Sequence, residues 1–288
     1  MKVALVCCGR LENMYALEWV EYYKQLGIDN IFICDNNFDS DKDTEHFEDV
    51  LQSYINDGFV IIKNYRNFPG VQMPCYHNTY YEISKDYDWI MFLDFDEFLI
   101  LKKDKNIKDY LSRGCFKDAN QILINWQTYT DNDLILYDNR PCIERFTTPA
   151  DKYAKIKLQY VPENEHVKQI LKTKLSNINI TQHCSSGEIL NNTTYNNVGE
   201  KINELSPFQK INWDISYIKH FPTKTLDEFI NNKFIKGTCD GNPEFPNYPL
   251  EWFFKYNKIT EEKINYLKEH NIDTTHINKQ YISSWWPY

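Results

Sequence analysis

Seven consecutive residues, Phe92-Leu93-Asp94-Phe95-Asp96-Glu97-Phe98, hold the densest chemistry in the chain. Three carboxylates, Asp94, Asp96 and Glu97, sit inside an apolar run from Trp89 to Leu101. Carboxylates in such a setting are costly unless something compensates them. On a regular strand Asp94 and Asp96 fall on one face, about 7 Å apart along the chain. That pair suits one hard divalent cation, Mn²⁺ or Mg²⁺, held directly or through water. A cation held by one or two carboxylates fills its other positions with water and with phosphate oxygens of a substrate. The pattern reads as a strand end that presents a metal-bound phosphate. Glu97 is next to this pair but points the other way on a regular strand.

The elements that must position these acids follow from periodicity. Val3 to Cys8 is short, apolar and followed by Gly9, the mark of a buried strand. Glu12 to Leu26 carries apolar residues at helical spacing and stops at Gly27. Asn30 to Cys34 and Phe59 to Lys63 read as strands, and Asp43 to Asn56 and Cys75 to Lys85 as helices. Trp89 to Leu93 is the strand that ends at the acids. This alternation predicts the α/β class, with a Rossmann-like, mainly parallel sheet flanked by helices. Ligands of such sheets bind beyond the carboxyl ends of the strands. Cys8-Gly9-Arg10, Asp35-Asn36 and Asp94-Phe95-Asp96 all fall there.

Beyond this the chain is less regular. Ile107 to Ser112 reads as a short helix and Ala119 to Trp126 as a strand, while residues 127–205 show no clear period. Leu226 to Ile235 reads as a helix opened by a capping box of Thr225 and Glu228. It follows an apolar strand, Ile215 to Ile218. Ile259 to His270 is a last helix. The expected organisation is one compact domain in two halves, 1–126 and 127–288.

At this point the chain resembles the GT-A nucleotide-sugar glycosyltransferases, and more narrowly a branch related to glycosyltransferase family 2 that carries a D-x-D-E-F signature. Four stretches carry the likeness. Arg10-Leu11-Glu12 opens the first helix, where Arg-Asn-Glu is usual. Asp35-Asn36-Asn37 with Asp39 to Asp41 matches a D-N-x-S-x-D turn. Gln72 to Tyr81 leads through Asp88-Trp89-Ile90 into Asp94-Phe95-Asp96-Glu97-Phe98. His220-Phe221-Pro222-Thr223-Lys224-Thr225-Leu226 is similar to a late His-containing motif.

The resemblance implies a GT-A fold with an acceptor-binding second half and a metal-dependent transfer of a sugar from a nucleotide-diphosphate donor, with inversion. It implies Asp94, Asp96 and His220 as metal ligands, and a nucleotide contact at Asp35 and Asn36. Arg10, in the first strand–helix loop, reads as a phosphate or base contact or as a structural ion pair, and Glu12 goes with it. Lys224 reaches a phosphate. His183 faces the acceptor or the metal, or neither. Asp240, on the loop Gly237 to Asn242, is the other candidate base beside Glu97. A UDP-sugar is the expected donor and a glycan or lipid-linked hydroxyl the expected acceptor. His77, His166 and His270 read as surface residues.

Composition bounds these readings. The chain has 288 residues, is 42% hydrophobic and 16% aromatic, and carries a net charge of −9. That charge argues against nonspecific nucleic-acid binding. The eight cysteines include no Cys-x-x-Cys, which speaks against a zinc knuckle or redox pair and for free thiols in a reducing cytoplasm. No run of 18 apolar residues occurs, so no spanning helix is expected; peripheral attachment at an inner membrane face stays open. Lys152, Lys155, Lys157, Lys168, Lys172 and Lys174 make the middle locally basic, either a solvated face or a loop over an anion. Trp285-Trp286-Pro287-Tyr288 suits docking on the core or a membrane or acceptor contact. Two other functions compete: a haloacid dehalogenase-type phosphohydrolase using Asp94 and Asp96, and a non-catalytic sugar- or nucleotide-binding module.

Overall fold

The computed structural model describes residues 1–41, 46–150, 163–234, 249–275 and 277. Val3–Gly9 is β1, and its apolar residues from Val3 to Cys7 are fully buried. Asn13–Leu26 is α1, Asn30–Asp35 β2, Phe47–Asn56 α2, Val60–Asn64 β3, Gln72–Ile83 α3 and Trp89–Phe92 β4. These are the seven elements the periodicity predicts, displaced by a residue or a few at their ends. α1 stops where Gly27 takes a left-handed φ of 94°, a conformation that glycine adopts without a Cβ penalty.

Glu97–Leu101 is β5, Ile107–Leu111 α4, Gln121–Thr128 β6, Cys142–Arg145 α5, Val167–Lys172 β7, Thr194–Asn196 β8 and Ser216–His220 β9. One sheet runs β3-β2-β1-β4-β7-β6-β9-β5, with β8 paired to β6. The four strands β3, β2, β1 and β4 are mutually parallel. β7 is antiparallel to both β4 and β6. The fold is therefore the predicted α/β class. The strand that closes the parallel half, β7, lies in the stretch where the sequence shows no clear period.

The chain forms two units. The first joins Met1–Trp126 to Glu165–Lys219; the second joins Gln127–Asn164 to His220–Tyr288. Residues 165–219 thus return to the first unit. One core of that unit packs Val6, Cys34, Phe92 and Leu171 of the sheet against Cys75, Tyr76, Tyr80 and Ile83 of α3. Its strand starts are tied by side chains: Asp88 accepts from the backbone of Lys2 and Asp29 from that of Val3.

In the second unit Leu226–Glu228 is α6, Leu250–Phe254 α7 and Glu261–Glu269 α8. The helix expected from Leu226 is one α-turn that widens into a π-helix over Phe229–Phe234. The Thr225–Glu228 capping box is present in both directions. Leu226, Phe229, Leu250, Phe253, Phe254 and Leu267 form the core. Two buried ion pairs cross this unit, Arg145 with Glu228 at 2.7 Å and Lys263 with Asp131 at 2.5 Å.

Candidate active site

The acids sit on a turn, not on a regular strand. β4 ends at Phe92 and β5 begins at Glu97. The Glu97 N–H donates to the Asp94 carbonyl at 3.1 Å, and the Asp94 N–H donates to Glu97 Oε2 at 3.0 Å. The Glu97 side chain therefore folds back over Asp94, where strand alternation would send it away. α1 and α2 hold this geometry. Trp19 Nε1–H and the Tyr23 hydroxyl both donate to the Glu97 carbonyl, at 3.0 and 2.9 Å. The Tyr23 hydroxyl also accepts the Leu99 N–H at 2.9 Å. Phe95, between the two aspartates, stacks on Phe47 at 5.3 Å and leans on Trp19 at 4.8 Å. Gly9 leaves room for that ring: a Cβ there would lie 2.6 Å from it.

Asp94 is engaged on both oxygens. Oδ1 accepts from Gln72 Nε2 at 2.9 Å and from the Tyr76 hydroxyl at 3.2 Å. Oδ2 accepts from Lys168 Nζ at 2.6 Å, and the same ammonium lies 3.4 Å from Glu97 Oε2. The Lys168 side chain is 1% exposed and that of Asp94 31%. Burial works against the lysine's charge, but the neighbouring Asp94 and Glu97 win and raise its pKa. Burial raises Glu97 well above the ordinary carboxylate range, against the pull of Lys168. Asp96 is buried. Glu97 Oε1 is a buried oxygen with no hydrogen-bond partner. An orphaned carboxylate oxygen beside Asp96 in sequence, with Asp94 on the same turn, is an all-oxygen donor set that fits a hard divalent cation.

The carboxyl ends of β1 and β2 carry a second polar group. Asp35 is fully buried; Oδ2 takes Arg66 Nε at 2.5 Å, and Oδ1 takes the Asn37 N–H at 3.0 Å. Asn36 Nδ2 ties down the carbonyls of Tyr65 and Phe68. Arg10 grips Asp41 with Nε at 2.9 Å and Nη2 at 2.6 Å, and lies 4.2 Å over the Phe38 ring. Glu12 is buried at the start of α1. Beyond β2 these loops leave a pocket of ≈ 190 Å³ lined by Asn37, Phe38, Asp39, Asp41, His46 and Arg66.

Of the remaining expected residues, His183 lies in the first unit. Its Nδ1–H donates to the Val167 carbonyl at 2.9 Å, and its ring meets Trp126 and His166 edge to face. His166 is half-buried against Phe208 and Trp126 and is no surface residue. His220 is the last residue of β9, belongs to the second unit, and is buried; its carbonyl accepts the Tyr129 N–H. Lys224 is buried in the second unit, on a left-handed backbone with φ 54°. The anion at the start of α6 is the chain's own Glu228. Asp240, Lys152, Lys155, Lys157 and the terminal Trp285 to Tyr288 lie outside the described residues.

Sequence reasoning missed Lys168, Gln72 and Tyr76 as partners of Asp94, and Arg66 as partner of Asp35. For Lys168 there was a signal. It stands in Val167-Lys168-Gln169-Ile170-Leu171, an apolar stretch, while three acids stand in another. Two sets of opposite charge in apolar settings call for each other.

Comparison with known proteins completes the picture. The family model described as glycosyltransferase family 92 matches residues 5–280. A glycosyltransferase family 92 protein of Ricinus communis is 30% identical over 104 residues, which are 35% of this chain and 18% of that protein. The match thus spans less than a fifth of that relative. Among solved structures, S. aureus TarS 1-349 in complex with UDP-GlcNAc aligns at 12% identity and a TM-score of 0.43, covering 99% of this chain and 71% of that one. Mannosyl-3-phosphoglycerate synthase from Rubrobacter xylanophilus aligns at 10% identity and a TM-score of 0.30, covering 60% and 53%. At such scores the likeness carries no weight for function.

Proposed function

The chain belongs to glycosyltransferase family 92, and on that footing we propose that it moves a sugar from a nucleoside-diphosphate donor to an acceptor hydroxyl with the help of a divalent cation. The observation that carries this reading is the acidic turn at the carboxyl end of β4, with Asp96 and Glu97 buried and Asp94 partly exposed. The family match supports the broad expectation of a glycosyltransferase and not the narrower family 2-like branch.

β1 separates β2 from β4 in the sheet, so the pocket beyond β2 and the acidic turn lie about two strand spacings apart, roughly 10 Å. That is the scale of a nucleoside diphosphate. In this reading the pocket takes the nucleoside. Asp35 and Arg10 shape its walls through their hydrogen bonds to Asn37, Arg66 and Asp41, and Asn36 and Glu12 are proposed as further nucleotide contacts. Asp94 and Asp96 hold Mn²⁺ or Mg²⁺, with His220 as the third ligand on the strength of its motif. When bound, the cation neutralises charge on the departing diphosphate. Lys224 contributes positive charge for that phosphate. The acceptor's proton passes to a carboxylate, with Glu97 and Asp240 as the two candidates, and the sugar carbon inverts. A UDP-sugar donor, a glycan or lipid-linked acceptor and a cytoplasmic setting complete the reading. The seven described cysteines are free thiols, which fits a reducing compartment. Among the described residues no helix is long and apolar enough to cross a membrane.

The test is thermal stability of the chain against UDP, GDP and CMP, each with and without Mn²⁺, in wild type and Asp96→Ala. A ligand at a hundredfold its Kd stabilises by roughly 2.7 kcal/mol. The expected result is a shift for one nucleotide that needs Mn²⁺ and disappears in the variant. A folded wild type that responds to no nucleotide in either condition overturns the reading.

A further inference from the structure

The reading above does not use the most deeply buried cation in the first unit near the acids. Lys168 comes from β7, next to β4, and its ammonium reaches Asp94 at 2.6 Å and Glu97 at 3.4 Å. Its side chain is 1% exposed, and Trp126 stands over it at 6.0 Å from nitrogen to ring centre. Burying an ammonium is costly unless it is paired and hydrogen-bonded, so these contacts are its reason for being there. Lysine at this place also does something that a neutral donor would not: it subtracts one unit of negative charge from a turn that holds three carboxylates.

We propose that Lys168 is a positioning residue, a built-in counter-ion that makes the divalent cation and the nucleoside diphosphate bind to the acidic turn as a pair. This rests on the metal-dependent reading above. Without the lysine, the three acids would draw a divalent cation tightly on their own, and the loaded turn would keep more negative charge to repel a diphosphate. With it, the acids hold the cation weakly until a diphosphate supplies further oxygens, and the loaded turn repels that diphosphate less. Lys168 also fixes the turn by pulling Asp94 Oδ2 toward β7, while Gln72 and Tyr76 of α3 hold Oδ1.

The charge argument predicts two shifts of opposite sign, which a purely structural role does not. The experiment measures Mn²⁺ affinity of the whole chain by electron paramagnetic resonance of free Mn²⁺. It then measures affinity for the nucleoside diphosphate at saturating Mn²⁺ by calorimetry. In Lys168→Met, Mn²⁺ alone is expected to bind about tenfold more tightly and the nucleotide with Mn²⁺ about tenfold more weakly. Lys168→Arg, which keeps the charge, moves both values back toward wild type. Lys168→Gln, which keeps a donor for Asp94, is the second variant should Lys168→Met not fold, and gives the same opposite shifts. If both affinities fall together in a folded variant, or neither changes, Lys168 is structural and the proposal is overturned. If wild type binds the nucleotide equally with and without Mn²⁺, the metal reading itself is overturned, and this proposal with it. If wild type pairs Mn²⁺ with the nucleotide and the variants do not shift as stated, only this proposal fails.

Discussion

At the scale of single residues, buried charges in this chain are bound up with their partners. Lys168 with Asp94, Arg145 with Glu228 and Lys263 with Asp131 all place a nearly inaccessible cation against a carboxylate. The Arg145–Glu228 pair, in the second unit, gives a clean prediction because neither of its residues is given a role in the proposed reaction. Arg145 Nη1 and Nη2 meet the two Glu228 oxygens at 2.7 and 3.0 Å. Burial tends to raise the Glu228 pKa, but Arg145, Lys224 and the Thr225 cap outweigh it and lower it. A lowered carboxylate contributes stability that is present above its unfolded pKa, about 4.3, and is lost as pH falls through the folded value. Glu228→Gln takes the carboxylate from a buried guanidinium and is expected to cost about 3 kcal/mol at pH 7. The gap between the two chains should narrow below about pH 4. Urea denaturation of both proteins at pH 7 and pH 3.5 checks this; an equal gap at both values would mean the pair is not ionised in the folded state. Of these pairs only Lys168 with Asp94 left a signal in the sequence; the other two join residues at least 83 positions apart whose sequence neighbourhoods give no register.

At the scale of elements, what the sequence showed well was periodicity, and what it hid was what happens between periods. α1, β1, β2 and β4 all form where apolar spacing puts them. Asp94 and Asp96 lie just past β4, and regular alternation failed there because the backbone turns at Phe95. That turn is set by contacts from α1 and α2, which no local pattern encodes. Trp19 and Tyr23 close on the Glu97 carbonyl, and Phe47 stacks on Phe95. Part of the high aromatic content is therefore spent on aiming the acids. Gly9 is the element-level test. An added methyl would lie 2.6 Å from Phe95 and 2.8 Å from Phe47, too close for either ring to stay. Overpacking of this kind costs about 1–3 kcal/mol. Because the displaced ring sits between Asp94 and Asp96, Gly9→Ala should also weaken Mn²⁺-dependent nucleotide binding by about tenfold, the same order as its stability cost. Calorimetric titration of the folded variant reads this directly. A variant that is destabilised yet binds as wild type would show that the turn tolerates movement of Phe95, and that the α1–α2 aromatics do not position the acids.

At the scale of the molecule, the chain does not divide where its sequence changes character. The regular part ends near Trp126, which invites the view that residues 1–126 are a self-sufficient nucleotide-binding half. The sheet argues otherwise. β7, from Val167 to Lys172, lies between β4 and β6, with Met91 opposite Ile170 and Ile122 opposite the same residue on the other side. Residues 1–126 alone would therefore leave β4 as an edge. All four residues of β4 are buried in the intact chain, so that edge would be apolar and open to pairing with other molecules. The fragment would also lack Lys168, leaving Asp94 and Glu97 without their buried cation. A fragment of residues 1–126 is accordingly expected to aggregate and to lack a cooperative thermal transition. A fragment of residues 1–219 supplies β7 and Lys168 and should recover the transition in part. Circular dichroism melts of both, with sedimentation to follow association, decide the matter. A soluble, cooperatively melting 1–126 fragment would show that the parallel strands and their helices suffice, and that β7 only caps a unit already complete.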